Sequence, residues 1–555
     1  MLHLFALVRR FLVATWPSAV VAIAAWISIV ICIDPAGSYP SMPQGPGVTV
    51  DEIFNVQQGV LLVERARALG GYNLIPGTSI DAFRRENYYN PDHPPLGRYW
   101  LGVHHQVTWA IAPPYRPDGL LVTACARTGS ATAFALTIWL IGAFVTVQSP
   151  SAGSSASWAG AMTGIALVLM PRVYGHAHLA SLETITNLTC TSAVLAIAAW
   201  WSGPGVPTGR SALLAGILMA LALLTKIQAV LIPIPVIVWA LVRWRQRALV
   251  PLLIWGMTAL LIFFLLWPYL WINPVEHLKE YLGRTTNRAT LYCFYFGVRY
   301  ADKAVPWHYP LVIFTVTVPV VLQGLGLLGL RTKIAGASDA SSANEALQTM
   351  RWQNRLLLAC GLFVLLVFAL PGVAVYDGER LFLTVFPLWA VFIGRGAVTL
   401  YAIMSGRVGR RLAGGAMAVV MLVQFGSNLQ VHPYYLSYYN ALVGGVSGAE
   451  SLGMELNYWG DAMTRSVLQE AVAGKPLFAS VEIRPSLHMD QNDDLMRQSP
   501  ILRWARQVDP NPSTPPLRIS FRRRADLSDE IYFTDAPPQS GGFQSRLARV
   551  GPTNP

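Results

Sequence analysis

From Phe11 to Asn428 one pattern repeats: a long apolar run, then a short polar or basic break. A helix needs about 20 mostly apolar residues to cross the hydrocarbon core of a bilayer, and fewer where neighbouring helices bury its ends. Eleven runs qualify as candidate spans: Phe11–Ile33, then 120–147, 157–173, 184–201, 211–225, 227–242, 250–271, 308–330, 354–371, 381–403 and 412–428. Only 13% of the 555 residues are charged, about half the share of an ordinary soluble chain. Too few polar side chains remain to cover a water-facing surface. The pattern predicts an all-α polytopic membrane protein with about 11 transmembrane helices. Arg9 and Arg10 precede the first run and no small-residue cleavage site follows it, so it reads as a retained span rather than a signal peptide.

The net charge of +12 raises the question of a nucleic-acid partner, and its distribution argues against one. From Gln430 onward 12 basic and 13 acidic residues nearly cancel, so the surplus belongs to the membrane half. There it gathers in breaks: Arg9-Arg10, "RWRQR" at 243–247, "RTK" at 331–333, Arg351, Arg355 and "RVGRR" at 407–411. With the N-terminus cytoplasmic, alternation places every cluster inside, as the positive-inside rule requires. Segments 34–119, 174–183, 272–307, 376–380 and everything after Asn428 then lie outside. The stretch 98–112, with His104 and His105 among Trp and Tyr, is expected as a helix lying at the outer interface. "QSPSAGSSASW" and "AGASDASSANEA" (335–346) read as flexible inner loops.

Two regions follow: a membrane domain, 1–428, whose first outer loop is 34–119, and a small outer α/β domain, 429–555. In the latter "KPLFASVEI" and "LRISFRR" read as strands, "DAMTRSVLQEAV" as a helix and the last twenty residues as a loose tail. Five widely spaced cysteines contain no CxxC pair and fit neither a zinc site nor a disulfide framework, a Cys32–Cys125 bridge being left open.

The unusual polar residues all fall on the outer side of this threading. Asp51 and Glu52 open a surface helix, "DEIFNVQQGVLLVERARAL", where acids are favoured by the helix terminus. A carboxylate so placed also suits proton abstraction from an attacking hydroxyl. Asp92, His93 and Arg98 follow in "NPDHPPLGRYW". Lys226 interrupts a 31-residue apolar stretch in "LALLTKIQAVL"; it reads either as a snorkelling lysine or as a cation aimed at an anionic group. Arg380 in "YDGERLFLTVFPLWA" is either a local salt-bridge partner or a clamp on phosphate oxygens. His176, His178 and Glu183 in "GHAHLASLE" leave a divalent metal open, although the loose spacing favours a structural role.

An Asp-Glu pair after the first span followed by "DHPPLG" and a basic residue resembles the protein O-mannosyltransferase and ArnT-like glycosyltransferases. "ACARTGSATA", "MPRVYGHAHLASLETITNL", "LALLTK" and "YDGERLFLTVFP" extend the resemblance over most of the chain, and "WPYLWINP", "PWHYP" and "HPYYLSYYNALVGG…YWGD" resemble motifs of bacterial members. The resemblance implies a GT-C fold in a bacterial inner (cytoplasmic) membrane and a polyprenyl-phosphate-linked sugar donor. It implies a protein, lipid or polysaccharide acceptor and inverting transfer, with the catalytic pair Asp51 and Glu52 acting as general base and as the group that positions acceptor or donor. Arg98, Arg127, Lys226 and Arg380 would hold the donor phosphate, while Glu183, Asp92 and His93 would serve the acceptor. Two departures stand out: Glu183 falls where relatives usually have aspartate, and Arg98 where mannosyltransferases usually have lysine. The competing class is a transporter or flippase of a lipid-linked or anionic solute. A transporter would place its polar groups near the midplane rather than in one outer loop.

Overall fold

The computed structural model describes residues 2–115, 121–148, 154–286, 290–331, 340–473, 480–484, 488–503, 506–507, 517–521, 523–525 and 547–552. Seven helices among them are long and apolar enough to cross a membrane: Arg9–Val30, Thr123–Gln148, Leu182–Trp201, Ile227–Leu265, Asn344–Phe368, Val385–Val408 and Arg410–Val431. A further apolar pair, Tyr309–Thr317 and Val320–Leu330, is bent by 106°, as in a broken span or a re-entrant loop. The bend falls at Val318-Pro319, where the residue before proline is held extended (ψ 131°).

The eleven expected runs are all present as helical segments, but they do not make eleven equivalent crossings. Ser155–Val168 and Gly209–Leu223 are shorter apolar helices. At about 1.5 Å per residue, a helix of 15 residues is shorter than the roughly 30 Å hydrocarbon core. The expected runs 227–242 and 250–271 fall in one apolar stretch, interrupted at the 3-10 segment Arg245–Ala248, where Arg245 has φ 52°. Two expected loops are also corrected. Residues 149–153 and 332–339 lie outside the described residues, but the flanks expected as loop are helical from Ser154 and from Ala340.

The segment after the first span folds against the bundle. Helix Val50–Leu69 packs on helix Pro95–Ile111, which lies in turn on Thr123–Gln148. The first two meet backbone to backbone: a Cβ on Gly59 would lie 2.4 Å from the Arg98 carbonyl oxygen, and one on Gly102 2.2 Å from that of Gly59. Only glycine allows this approach, which fixes Arg98 beside the helix whose first turn carries Asp51.

After Val431 the chain builds a four-stranded sheet in the order Arg506–Gln507, Ser480–Arg484, Leu517–Phe521, Ala548–Pro552. The first three strands are parallel and the last is antiparallel, so residues 548–552 of the expected loose tail are an edge strand. Helix Arg465–Val472 is where the sequence placed it. This region is anchored to the membrane part by Arg465, whose Nη1 is 2.9 Å from the fully buried carboxylate of Asp34. A separate hairpin pairs Tyr292–Tyr295 with Val298–Ala301. The five cysteines are free thiols, and Cys125 hydrogen-bonds Tyr39 rather than bridging to Cys32.

Candidate active site: an acid-and-arginine cavity

Successive residues of a helix point about 100° apart, so the neighbouring acids Asp51 and Glu52 face different surroundings. Glu52 turns inward and is fully buried. Its carboxylate accepts the Thr49 N–H at 2.8 Å, the Ala180 N–H at 2.6 Å, and Nε and Nη2 of Arg127 at 2.8 and 2.9 Å. Arg127 spends its remaining donors on the carbonyls of Ile33, Pro46 and Gly47. Neither residue lines the large cavity. The structure brings Glu52 and Arg127 together away from the cavity, as a buried brace that ties the helix start to the preceding loop, to the span carrying Arg127 and to Ala180.

Asp51 turns the other way, onto a cavity of about 1120 Å³. Opposite it, Arg380 occupies the centre of a carboxylate cluster. Its Nη2 pairs with Asp51, its Nε lies 2.9 Å from Glu183 Oε1 and its Nη1 2.8 Å from Asp377 Oδ2. Its guanidinium also lies 4.3 Å from the centre of the Trp459 ring. Burial opposes the charge on Arg380, but Asp51 and Glu183 outweigh it and hold the group firmly protonated. Lys226, in an extended break between Gly209–Leu223 and Ile227–Leu231, donates to Glu183 as well. Glu183 thus stands behind the two cations and outside the cavity lining, with its side chain 2% exposed, against 24% for Asp51.

The "DHPPLG" segment supplies the adjacent wall. Helix Pro95–Ile111 starts on a proline at its first position, where no N–H is needed. Arg98 donates Nε to Asn55 Oδ1 at 3.2 Å and Nη1 to the Asn90 carbonyl. Asp92 accepts from Asn90 Nδ2 at 2.5 Å. His93 lines the cavity, and its buried Nδ1 has no hydrogen-bond partner. Burial, reinforced by Arg98 and Lys226, holds its imidazole neutral, well below the usual range. The lining contains five cationic side chains (Arg98, Lys226, Lys303, Arg380, Arg523) and three acids (Asp51, Asp92, Asp377), a surplus of two positive charges. Ile227, Val230, Leu231, Val367 and Phe368 form its apolar wall.

The open metal set does not converge. Glu183 is committed to Lys226 and Arg380, His178 Nδ1 lies 2.9 Å from the Tyr174 carbonyl, and His176 Nε2 points to Glu379 at 3.4 Å. No group of three His, Cys, Asp or Glu side chains set to hold a metal occurs among the described residues. His176 belongs to a second buried brace, in which Arg172 Nη1 meets Glu379 Oε2 at 2.6 Å. Burial opposes ionisation of Glu379, yet Arg172 and His176 hold its carboxyl below the usual range.

Several lining residues were not assigned a role from the sequence. Trp459 belongs to the quoted "YWGD" motif and Asp377 to "YDGER", so both carried a signal. His488, Gln491, Lys303 and Arg523 also line the cavity, and nothing local in their segments marks them.

No family model matches the chain, and no curated protein matches it. Among solved structures it is similar to ArnT from Cupriavidus metallidurans bound to undecaprenyl phosphate, at 13% identity over 91% of this chain and 92% of that one, with a TM-score of 0.46. It is also similar to the archaeal oligosaccharyltransferase AglB from Archaeoglobus fulgidus in complex with an inhibitory peptide and a dolichol-phosphate. There the identity is 11% over 92% of this chain and 69% of that one, with a TM-score of 0.45.

Proposed function

We propose that this protein is a membrane glycosyltransferase of the GT-C fold. It moves a sugar from a polyprenyl-phosphate-linked donor to an acceptor hydroxyl, with inversion, at the non-cytoplasmic face of a bacterial inner membrane. The observation that carries the reading is the sharing of Arg380. One guanidinium serves three carboxylates, and Asp51 is the most exposed of them, at the edge of a cavity with surplus positive charge and an apolar wall.

A lipid phosphate entering along the apolar wall competes with Asp51 for Arg380. Once the phosphate takes the guanidinium, the Asp51 carboxylate is released from its ion pair and is free to meet the acceptor hydroxyl. The acceptor oxygen then attacks the anomeric carbon while its proton passes to Asp51. The carbon–oxygen bond to phosphate breaks, and the departing phosphate keeps the electron pair, stabilised by Arg380 and Lys226. Neutral His93 lines the cavity and adds no charge beside a bound sugar.

The test is Asp51→Asn in membranes supplied with radiolabelled undecaprenyl-phosphate mannose and other undecaprenyl-phosphate hexoses. Label should pass to a protein, lipid or polysaccharide fraction with the wild type and fall by at least about a hundredfold with the variant. Both proteins should insert equally. Transfer retained by the variant refutes Asp51 as base; translocation of the labelled lipid without transfer makes the protein a flippase.

A further inference from the structure

One side of the cavity is built from the far end of the chain. His488 lies edge-on to Phe54 with ring centres 5.2 Å apart, and Gln491 Nε2 donates to the carbonyls of Val48 at 2.9 Å and Trp459 at 3.3 Å. Arg523 reaches the same lining from the segment Arg523–Ala525. That segment is clasped at both ends of one carboxylate: Glu455 Oε1 accepts the Arg524 N–H at 3.0 Å and Oε2 the Ala525 N–H at 2.8 Å. The Ala525 carbonyl accepts from Arg299, and the Arg524 guanidinium lies 5.3 Å from the Phe294 ring centre. Arg299 and Phe294 belong to the 292–301 hairpin, whose turn donates from Gly297 N–H to the Gly453 carbonyl at 2.9 Å. Hairpin, residues 453–455 and residues 523–525 are therefore one bonded unit.

The unit delivers Arg523 to Asp377, with Nη2 3.6 Å from Oδ1. The other oxygen, Oδ2, is the one that accepts Arg380 Nη1 at 2.8 Å. Asp377 lies between two arginines, one from the membrane part and one from the C-terminal part. Its backbone is in the left-handed region at φ 56°, and the following Gly378 has φ 64°, so the turn presents this carboxylate in a fixed direction.

We infer that Arg523 is a positioning residue for Arg380: by sharing Asp377 it weakens that carboxylate's hold on Arg380 and leaves the guanidinium able to take an incoming phosphate. The C-terminal region thereby tunes the anion affinity of a site in the membrane part, and Glu455 keeps the tuning arginine in place. The inference rests on the phosphate-binding reading proposed above.

Full-length protein in detergent, titrated with undecaprenyl phosphate and followed by microscale thermophoresis, tests it. Arg523→Gln should weaken binding about five- to tenfold, and Arg523→Lys should keep it within about twofold of wild type. Adding Asp377→Asn to Arg523→Gln should abolish the defect, because the carboxylate whose hold Arg523 relieves is then gone, while Asp51 and Glu183 hold Arg380 as in the wild type. Glu455→Gln should weaken binding in the same direction by loosening the clasp. The inference is overturned if Arg523→Gln binds as the wild type does, or if the double variant stays as weak as Arg523→Gln alone. In both cases the wild type still binds, so the function reading survives. A wild type that does not bind undecaprenyl phosphate overturns both.

Discussion

Glu52→Gln separates structure from chemistry at the two adjacent acids. The side chain keeps its size but loses its charge. Glu52 receives donors from Arg127 Nε and Nη2, from the N–H of Thr49 and Ala180, and from the Thr49 hydroxyl at 3.2 Å. Glutamine offers one acceptor oxygen, and its amide nitrogen meets donors where the second oxygen stood. Arg127 and Glu52 are both fully buried, so the guanidinium keeps its charge in an apolar interior with only carbonyls around it. Breaking such a buried pair costs about 3–5 kcal/mol, a large share of the roughly 5–15 kcal/mol that holds a typical domain folded. Heating detergent-solubilised protein and following the folded peak by fluorescence-detected size exclusion should show a clearly lower Tm and a reduced yield. Undecaprenyl phosphate affinity of the surviving folded fraction should stay near the wild-type value. The double variant Glu52→Leu/Arg127→Met should recover only part of the loss, because the carbonyls of Ile33, Pro46 and Gly47 lose their donor. A Glu52→Gln protein that melts with the wild type yet has lost sugar transfer would refute the brace and restore Glu52 to catalysis.

Lys226→Met removes one of the two cations on Glu183 and should weaken undecaprenyl phosphate binding about ten- to a hundredfold in direct titration, the range of one charge-assisted hydrogen bond; an unchanged affinity would make Lys226 a structural partner only. A pH prediction follows from Asp461, which is fully buried in the "YWGD" turn. Burial pushes its carboxyl up to about 7, against the opposing pull of a backbone hydrogen bond and Arg172. Unfolded, the group ionises near 3.8, so between these values only the folded protein holds the proton. Stability therefore falls as pH rises from about 4 to 7 and levels off above, by at most about 4 kcal/mol. Buried neutral His93 pulls the other way as pH rises toward its unfolded range, so the measurement is the difference in Tm between Asp461→Asn and the wild type, which should shift in the variant's favour from pH 5 to pH 8; an unchanged difference would refute the reading. Glu455, also pushed to about 7 by burial, contributes with the same sign as Asp461 and is common to both proteins.

What the sequence made legible is local. Hydropathy over twenty residues locates the helices because span length is set by the bilayer, and the proline at 319 marks the bend that run 308–330 conceals. The polar residues that converge were visible as a set because the threading put them all on one side. Their sorting was not visible. Asp51 and Glu52 are neighbours in the same motif, and which one faces the cavity is decided by Arg127 and Ala180, 75 and 128 positions away. Arg127 looks like Arg380 in the sequence; only the partners that take up its N–H groups distinguish a brace from a binding group. Arg523 lies in a run of three arginines, "FRRRAD", and nothing local tells which of them reaches a carboxylate near position 377.

The most direct measurement is a structure of the full-length protein with undecaprenyl phosphate. The account predicts phosphate oxygens within about 3 Å of the Arg380 guanidinium and the Lys226 ammonium, the isoprenoid chain along Val230 and Phe368, and Asp51 parted from Arg380. A phosphate bound elsewhere, with the Asp51–Arg380 pair intact and the cavity unoccupied, would contradict it.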